Sequence, residues 1–267
     1  MSDADVLVAN GAGFEEGLLD VIEAAGASGT PIFHAVDAIE TIEFGNGDDH
    51  AEDDHADDGH DDHGEDDHAD DDHEDHGEDD HAEDDHDHGS VDPHFFTDPA
   101  RMAVVADAIA NFLISNVDGI DAAAVRASAD GYISELDALN EEVTSLLAAI
   151  PAEDRVLVTN HEVFEYFADA YDFEVAGTVI PSGSAANGAS AADLVALTEV
   201  VQREQVPAIF TDASSSDELA QTLAGEVGDI AVVELFSESL GDADSGGATY
   251  IDMVRTNATK IAEALTS

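Results

Sequence analysis

The sequence predicts an α/β fold with two lobes, parallel sheets and a long connecting helix. After residue 154, four short apolar runs alternate with four helical patterns, which is typical of a parallel sheet covered by helices. One long helical pattern precedes this stretch, and the beginning of the chain contains only two strand-like runs. We therefore expect an incomplete N-terminal lobe in residues 1–118, a linking helix in 119–150 and a C-terminal lobe of four strand–helix units in 151–267.

The N-terminal lobe begins with an apolar run at residues 4–9, which predicts a buried strand. From Gly13 onward, apolar residues recur at helical spacing as far as a predicted stop at Gly26. Residues 31–36 predict a second strand. A chain that opens on a buried strand with almost no lead-in suggests that the first elements of this lobe are missing.

Residues 46–90 are predicted to form a disordered acidic loop. No apolar side chain larger than Ala occurs between residues 48 and 88, so this stretch cannot bury a core. Imidazole is a favoured ligand of zinc, copper and nickel, but a flexible array binds weakly and loses metal as pH falls through the imidazole pKa. Ten of the thirteen histidines lie in this loop: His50, His55, His60, His63, His68, His73, His76, His81, His86 and His88.

Two helices are predicted between the loop and the C-terminal lobe. Asp98 followed by Pro99 has the pattern of an N-cap and a first helical residue. The second helix has Asp121 as its predicted cap and Pro151 as its terminator. A helix of about thirty residues would span about 45 Å, which is more than one small lobe needs, so we interpret it as a rigid connection between two lobes.

The C-terminal lobe is predicted to place two candidate ligands at one edge of its sheet. Ligands bind beyond the carboxyl ends of parallel strands, and His161 and Glu238 follow the first and fourth of the predicted strands. The strands are predicted at residues 155–159, 174–180, 208–211 and 230–234, and the helices at 161–171, 191–204, 216–226 and 250–265.

The charge of the chain limits its partners. There are 64 acids against 6 basic residues, a net charge of −58, which argues against nucleic acid or an anionic membrane surface and favours cations. Only 24 of these acids lie in residues 48–88, so the folded part is acidic as well. Such a surface is typical of proteins that work in concentrated salt, and a halophilic, haloarchaeal source is expected.

The chain contains no cysteine, which excludes disulfides, thiolate metal sites and cysteine nucleophiles. Any transition-metal site must therefore use imidazole and carboxylate ligands. The chain contains no run of about 18 apolar residues, so no membrane span is predicted. The first residues show neither the basic nor the apolar region of an export signal.

Outside the loop, His94 and His161 are the candidate metal ligands. His94 lies on a segment that Pro93 favours as extended, just before the helix that Asp98 caps. The alternative for each histidine is packing or capping, and Glu238 by itself is typical of a solvated surface acid. Two other motifs do not indicate catalysis: the serines at 214–216 predict helix capping, and the glycines at 11 and 13 lack the remaining parts of a dinucleotide site.

Four segments together resemble one family, the zinc- and manganese-specific solute-binding proteins of ABC importers, known as ZnuA/TroA-like. Residues 92–99, DPHFFTDP, are similar to the family's DPHxWLDP segment, and residues 160–167, NHEVFEYF, are similar to its SHDAFGYF segment. Residues 4–15, ADVLVANGAGFE, are similar to ADLVxxNGxGxE, and residues 250–257, YIDMVRTN, to the closing YxxMMxxN helix. The segments occur in the family's order and span nearly the whole chain.

The resemblance implies two Rossmann-like lobes joined by a long helix, with one metal ion held in the cleft. His94 and His161 would correspond to two of the family's histidine ligands, and Glu238 falls where the family often has a ligand Asp. A histidine-rich loop and a histidine at position 161 are features of zinc-type members. The implied function is a non-enzymatic, extracytoplasmic receptor at the cell surface, expected to be monomeric, that delivers Zn(II), or alternatively Mn(II), to an ABC permease.

One departure from the family pattern leaves alternatives open. The family's first ligand histidine lies upstream of the NGxGxE segment, and no such residue precedes residue 4 here. We therefore expect either an N-terminally truncated chain or a site with three protein ligands and a water. Two alternatives to the receptor function remain. The chain could be a soluble metal buffer that uses the loop, or a metallohydrolase that uses His94, His161 and Glu238 as ligands with Glu162 as its base.

Overall fold

Two parallel β-sheets form the framework of the protein in a computed structural model, which describes residues 4–43, 91–180, 191–214, 216–228 and 230–266. The smaller sheet has two strands and the larger has four. The described residues all belong to one unit, which takes in residues 1–44 and 88–267. The predicted loop 46–90, with its ten histidines, lies outside the described residues, and the predicted lobe boundaries at 118 and 150 remain a prediction.

The N-terminal strand–helix–strand sequence is confirmed with shorter elements than predicted. Strand β1 (Leu7–Ala9) runs parallel to β2 (Ile32–His34), with Val8 opposite Phe33. Between them, helix α1 (Leu19–Ala27) follows a 3₁₀ turn and ends one residue beyond the predicted stop. Phe33 packs against Phe112 of the next helix with ring centroids 5.3 Å apart, so an apolar contact joins the small sheet to the rest of the chain.

Both capping predictions for the middle helices are confirmed. The Asp98 carboxylate accepts a hydrogen bond from the Ala100 N–H (2.8 Å) at the start of α2 (Pro99–Asn116). The Asp121 carboxylate accepts one from the Ala124 N–H (3.1 Å) at the start of α3 (Ala122–Leu147). Helix α3 has 26 residues, about 39 Å at the usual rise, which is somewhat less than the predicted length.

The four predicted C-terminal strands and helices are also confirmed. The strands are β3 (Val156–Thr159), β4 (Glu174–Thr178), β5 (Ala208–Asp212) and β6 (Ala231–Leu235), and the helices are α4 (Glu165–Tyr171), α5 (Ala191–Glu204), α6 (Glu218–Val227) and α7 (Tyr250–Leu265). The parallel sheet has the order β4-β3-β5-β6, so neighbouring strands are not all consecutive in sequence.

Helix α4 begins at Glu165, so the prediction that it starts at residue 161 was wrong. The carbonyl of Asn160 accepts from the Ile180 N–H (2.8 Å), and the carbonyl of His161 accepts from the Thr159 hydroxyl (2.9 Å). Because both carbonyls already have partners outside a helix, residues 160–164 remain a loop. This loop carries His161.

Alternate residues of β5 separate two apolar cores on the two faces of the larger sheet. Phe210 packs with residues of α3, α4 and α7, whereas Ile209 packs with residues of α5 and α6. A central parallel strand covered on both faces is expected to be apolar throughout, and every residue of β5 is buried. None of the helices in the described ranges is both long and apolar enough to cross a membrane.

Candidate metal centre

His161 and Glu238 lie at the carboxyl edge of the larger sheet, as predicted. His161 is two residues beyond the end of β3, and Glu238 is three residues beyond the end of β6. Their side chains approach each other, with His161 Nε2 3.3 Å from Glu238 Oε1. The strand-end rule therefore correctly placed both side chains at one edge.

His94, which lies in the segment just before α2, also approaches the Glu238 carboxylate. It does not lie on an extended segment, because residues Phe95–Thr97 form a 3₁₀ turn for which His94 is the N-cap. The His94 side chain is 7% exposed, and its Nε2 lies 3.5 Å from Glu238 Oε1. The two imidazole rings have centroids 6.2 Å apart and are nearly perpendicular.

Potential ligand atoms of these three residues all lie within 4.8 Å of one another. In a tetrahedral zinc site with bonds of about 2.0–2.1 Å, neighbouring ligand atoms are about 3.3 Å apart. The distances of 3.3 and 3.5 Å from the Glu238 oxygen to the two nitrogens agree with this spacing. In addition, the buried Nε2 atom of His161 forms no hydrogen bond within the described part of the chain, although Glu238 Oε1 lies 3.3 Å away. Two imidazoles and a carboxylate are thus arranged as a small cation would require.

The charges in the centre are coupled. The His161 and His94 imidazoles hold the pKa of the Glu238 carboxyl well below its ordinary value, although burial opposes this shift. Burial lowers the pKa of His94, but its interactions with Asp92 and Glu238 outweigh burial and raise the pKa above the ordinary 6.5. Because a metal binds only the neutral imidazole, protons compete for His94 at a higher pH than they would for a free histidine.

Asp92 fixes the orientation of the His94 ring, a role that was not predicted from the sequence. One Asp92 oxygen accepts hydrogen bonds from the His94 backbone N–H (2.8 Å) and from Nδ1 of its ring (2.6 Å). Since Nδ1 carries this proton, the neutral ring leaves Nε2 as the atom that can bind a metal. Asp92 is fully buried, and its position two residues before His94 was the available sequence signal.

The turn that follows β1 supports the His94 segment. The Asn10 side chain donates to the Pro93 carbonyl (3.0 Å), and the backbone N–H groups of Asn10 and Gly11 donate to the Glu15 carboxylate. Gly11 has a φ of 89°, and a Cβ there would lie 2.5 Å from Val36 Cγ2. Only glycine satisfies both constraints, which gives a physical reason for the Asn-Gly pair at this position.

Glu165, at the start of α4, carries a carboxyl with a strongly shifted pKa. Burial, followed by the charges of Asp92 and Glu162, raises its pKa from 4.5 to about 7. A raised carboxyl pKa means that the folded protein holds a proton that the unfolded chain releases between these two values. The contribution of Glu165 to stability therefore falls as pH rises from about 4.5 to 7.

We expect the Glu165→Gln variant to be more stable than the original chain above pH 7, because the half-buried glutamate is ionised there and glutamine carries no charge. The expected gain is only about 1 kcal/mol, since solvent screens the charge of a partly exposed group. The gain should shrink towards pH 5, where the glutamate is already neutral. Urea unfolding at fixed salt over this pH range measures it, with the exposed Glu153→Gln as the control. A gain that is equal at pH 5 and pH 8 would contradict the assigned pKa.

The fold and the site together define an α/β binding protein with a candidate metal centre of two imidazoles and one carboxylate. A family model described as "Zinc-uptake complex component A periplasmic" matches residues 1–264. The match covers nearly the whole chain, and the chain belongs to this family.

Curated relatives include both zinc- and manganese-binding proteins. The chain is 38% identical over 139 residues to the zinc-binding protein TroA of Treponema pallidum, a match that covers 50% of this chain and 44% of TroA. It is 27% identical over 131 residues to the manganese-binding lipoprotein MntA of Halalkalibacterium halodurans, covering 49% of this chain and 43% of MntA. The chain thus matches less than half the length of each of these two relatives.

Solved structures confirm the α/β fold with parallel sheets. The periplasmic zinc-binding protein TroA of Treponema pallidum aligns over 99% of this chain and 82% of its own, with a TM-score of 0.73 and 25% identity. The manganese-bound periplasmic metal-binding protein of Candidatus Liberibacter asiaticus aligns over the same shares with a TM-score of 0.73 and 20% identity. The second likeness supports the fold alone.

Proposed function

We propose that the protein is an extracytoplasmic receptor that captures Zn(II) at His94, His161 and Glu238 and delivers it to an ABC permease. The observation that carries this proposal is the convergence of three ligand atoms within 4.8 Å of one another, with the Glu238 oxygen 3.3 and 3.5 Å from the two imidazole nitrogens. The family description, a periplasmic component of zinc uptake, supports the location and the transport role.

Zinc is favoured over manganese by the ligand set. Imidazole nitrogen suits zinc, whereas manganese prefers carboxylate, carbonyl and water oxygens. Two of the three candidate ligands are imidazoles, and TroA, the relative with 38% identity, is a zinc-binding protein. Manganese is the alternative cargo, because relatives such as MntA are manganese-binding proteins.

Three of the described residues form the candidate centre, so one position of a tetrahedral ion is left for a further ligand. Structural zinc sites have four protein ligands, whereas a site with three leaves one position for water or an incoming group. We propose that either an upstream protein residue or a water occupies this position, and that the centre lies in a cleft between a lobe of residues 1–118 and a lobe of residues 151–267. We expect the acidic histidine-rich loop to collect ions without holding them tightly.

The partners follow from the same chemistry. We expect a metal ion and a permease as partners, no nucleic acid, and a monomeric receptor. The enzymatic alternative has little support, because the relatives named above are binding proteins. The soluble metal buffer remains the competing function, and it differs from the receptor in where the tight site lies.

Zinc titration of the full chain and of a variant lacking residues 48–90 tests the receptor against the buffer. We expect the full chain to bind one zinc tightly and several weakly, and the deletion variant to keep the tight site and lose the weak ones. Competition with manganese in the same titrations measures selectivity. Loss of all tight binding on deletion would favour the buffer and contradict the receptor.

A further inference from the structure

Asp212 is a buried acid at the carboxyl end of β5, beside the strand that leads to Glu238. It is 5% exposed, and both of its carboxylate oxygens accept hydrogen bonds. Oδ1 accepts from the backbone N–H (2.7 Å) and the hydroxyl of Ser214, and Oδ2 accepts from the backbone N–H (3.2 Å) and the hydroxyl of Ser237. The serines at 214–216 were predicted to cap α6: the Ser216 hydroxyl accepts from the Glu218 N–H (3.4 Å) at the start of that helix, whereas Ser214 donates to Asp212 instead.

These four donors fill the hydrogen-bonding capacity of the ionised Asp212 carboxylate. Burial raises the pKa of Asp212, but hydrogen bonds from Ser214, from Ser237 and from the backbone of Glu238 outweigh burial and lower it. A carboxylate whose lone pairs already accept from four or more donors has little capacity left for a metal ion. Asp212 is therefore suited to holding the protein backbone, not to binding a cation.

The segment that Asp212 holds leads directly into the candidate ligand. Asn257 of α7 fixes the preceding residue, since its side chain accepts from the Phe236 N–H (2.9 Å) and donates to the Phe236 carbonyl (2.6 Å). Asp212 then fixes Ser237, and Glu238 is next in the chain. The Glu238 side chain is 44% exposed, so packing alone would leave it free to turn into solvent.

We propose that Asp212 is a positioning residue for the metal centre: it holds Ser237 and Glu238 so that the Glu238 carboxylate faces both imidazoles. This inference rests on the proposed metal-binding function. In physical terms, the anchored loop removes conformational freedom from Glu238 before the ion arrives, so that less entropy is lost on binding. Outer residues that orient a metal ligand typically change affinity 10–100-fold when they are replaced.

A double-mutant cycle on the full chain separates positioning from general stability. Zinc affinity is measured by competition with a chelator at fixed salt and pH for the original chain, Asp212→Asn, Glu238→Gln and the double variant. We expect Asp212→Asn alone to weaken binding about 10–100-fold and to have almost no further effect once Glu238 is replaced. Asp121→Asn, which changes a remote helix cap, is the matched control and should bind normally.

A second variant keeps the test decisive if Asp212→Asn folds poorly. Ser237→Ala removes only the hydroxyl that donates to Asp212, and we expect it to weaken zinc binding in the original chain but not in the Glu238→Gln background. Equal effects in the two backgrounds, or normal zinc binding by Asp212→Asn and Ser237→Ala, would overturn the positioning role. If the original chain bound no zinc, the proposed function itself would fail, which is a distinguishable result.

Discussion

Replacing His94 with alanine is expected to lower zinc affinity by about 100-fold or more. The variant removes one of the two imidazole ligands that the described residues bring together. Structural zinc sites derive roughly 10–16 kcal/mol from four ligands, so one ligand contributes several factors of ten. It also removes the ring N–H that donates to the buried Asp92 carboxylate, so that the Asp92 oxygen keeps only the backbone N–H of residue 94. The site would then be both incomplete and electrostatically unfavourable.

Isothermal titration at a pH well above the raised pKa of His94 measures this effect without proton competition. His161→Ala should behave in the same way, because its Nε2 is the second nitrogen of the centre. His34→Ala provides the matched control, since it removes a histidine of the folded region outside the three-residue cluster. Normal tight binding by His94→Ala and His161→Ala would show that these residues do not hold the ion.

The Tyr166→Phe substitution is expected to destabilise the protein by about 2 kcal/mol, because it leaves two backbone groups without their partner. The Tyr166 hydroxyl donates to the Asp92 carbonyl (2.9 Å) and accepts from the Ile42 N–H (3.0 Å). The side chain is completely buried, so water cannot replace the lost oxygen. The Arg101 guanidinium lies 4.9 Å from the ring centroid and keeps the phenyl ring in place.

Urea unfolding at fixed salt measures the change, and Tyr132→Phe on α3 is the control for loss of a less buried hydroxyl. We also expect a moderate loss of zinc affinity, smaller than that of His94→Ala, because the Asp92 segment would be less firmly held. An unfolding free energy equal to that of the original chain would mean that the two hydrogen bonds contribute nothing to stability.

The sequence predicted the elements of the fold better than the contacts within the site. The strand–helix alternation and the two Asp caps depend on local pattern and are confirmed, whereas the start of α4 depends on hydrogen bonds from Thr159 and Ile180 to the loop. Such partners are not visible from periodicity, because they belong to neighbouring strands and to segments that are close only in the folded chain.

The same distinction applies to the residues of the centre. His94 and His161 stand out in motifs, and Glu238 was identified by its position after a strand, although a single acid in so acidic a chain is a weak signal. Asp212 also ends a strand and could have been found by that rule. Tyr166 could not, because its two backbone partners come from segments far away in sequence.

The three candidate ligands come from three distant parts of the chain: the turn before α2, the loop after β3 and the loop after β6. The loops of the larger sheet supply His161 and Glu238, and His94 comes from the separate turn before α2. Occupancy of the proposed centre would therefore require that this turn has folded against the larger sheet, and free zinc would stabilise the native state by RT ln(1 + [Zn]/Kd). If the centre holds the ion as proposed, unfolded copies would lack the tight site and keep only the weak binding expected of the histidines in residues 46–90.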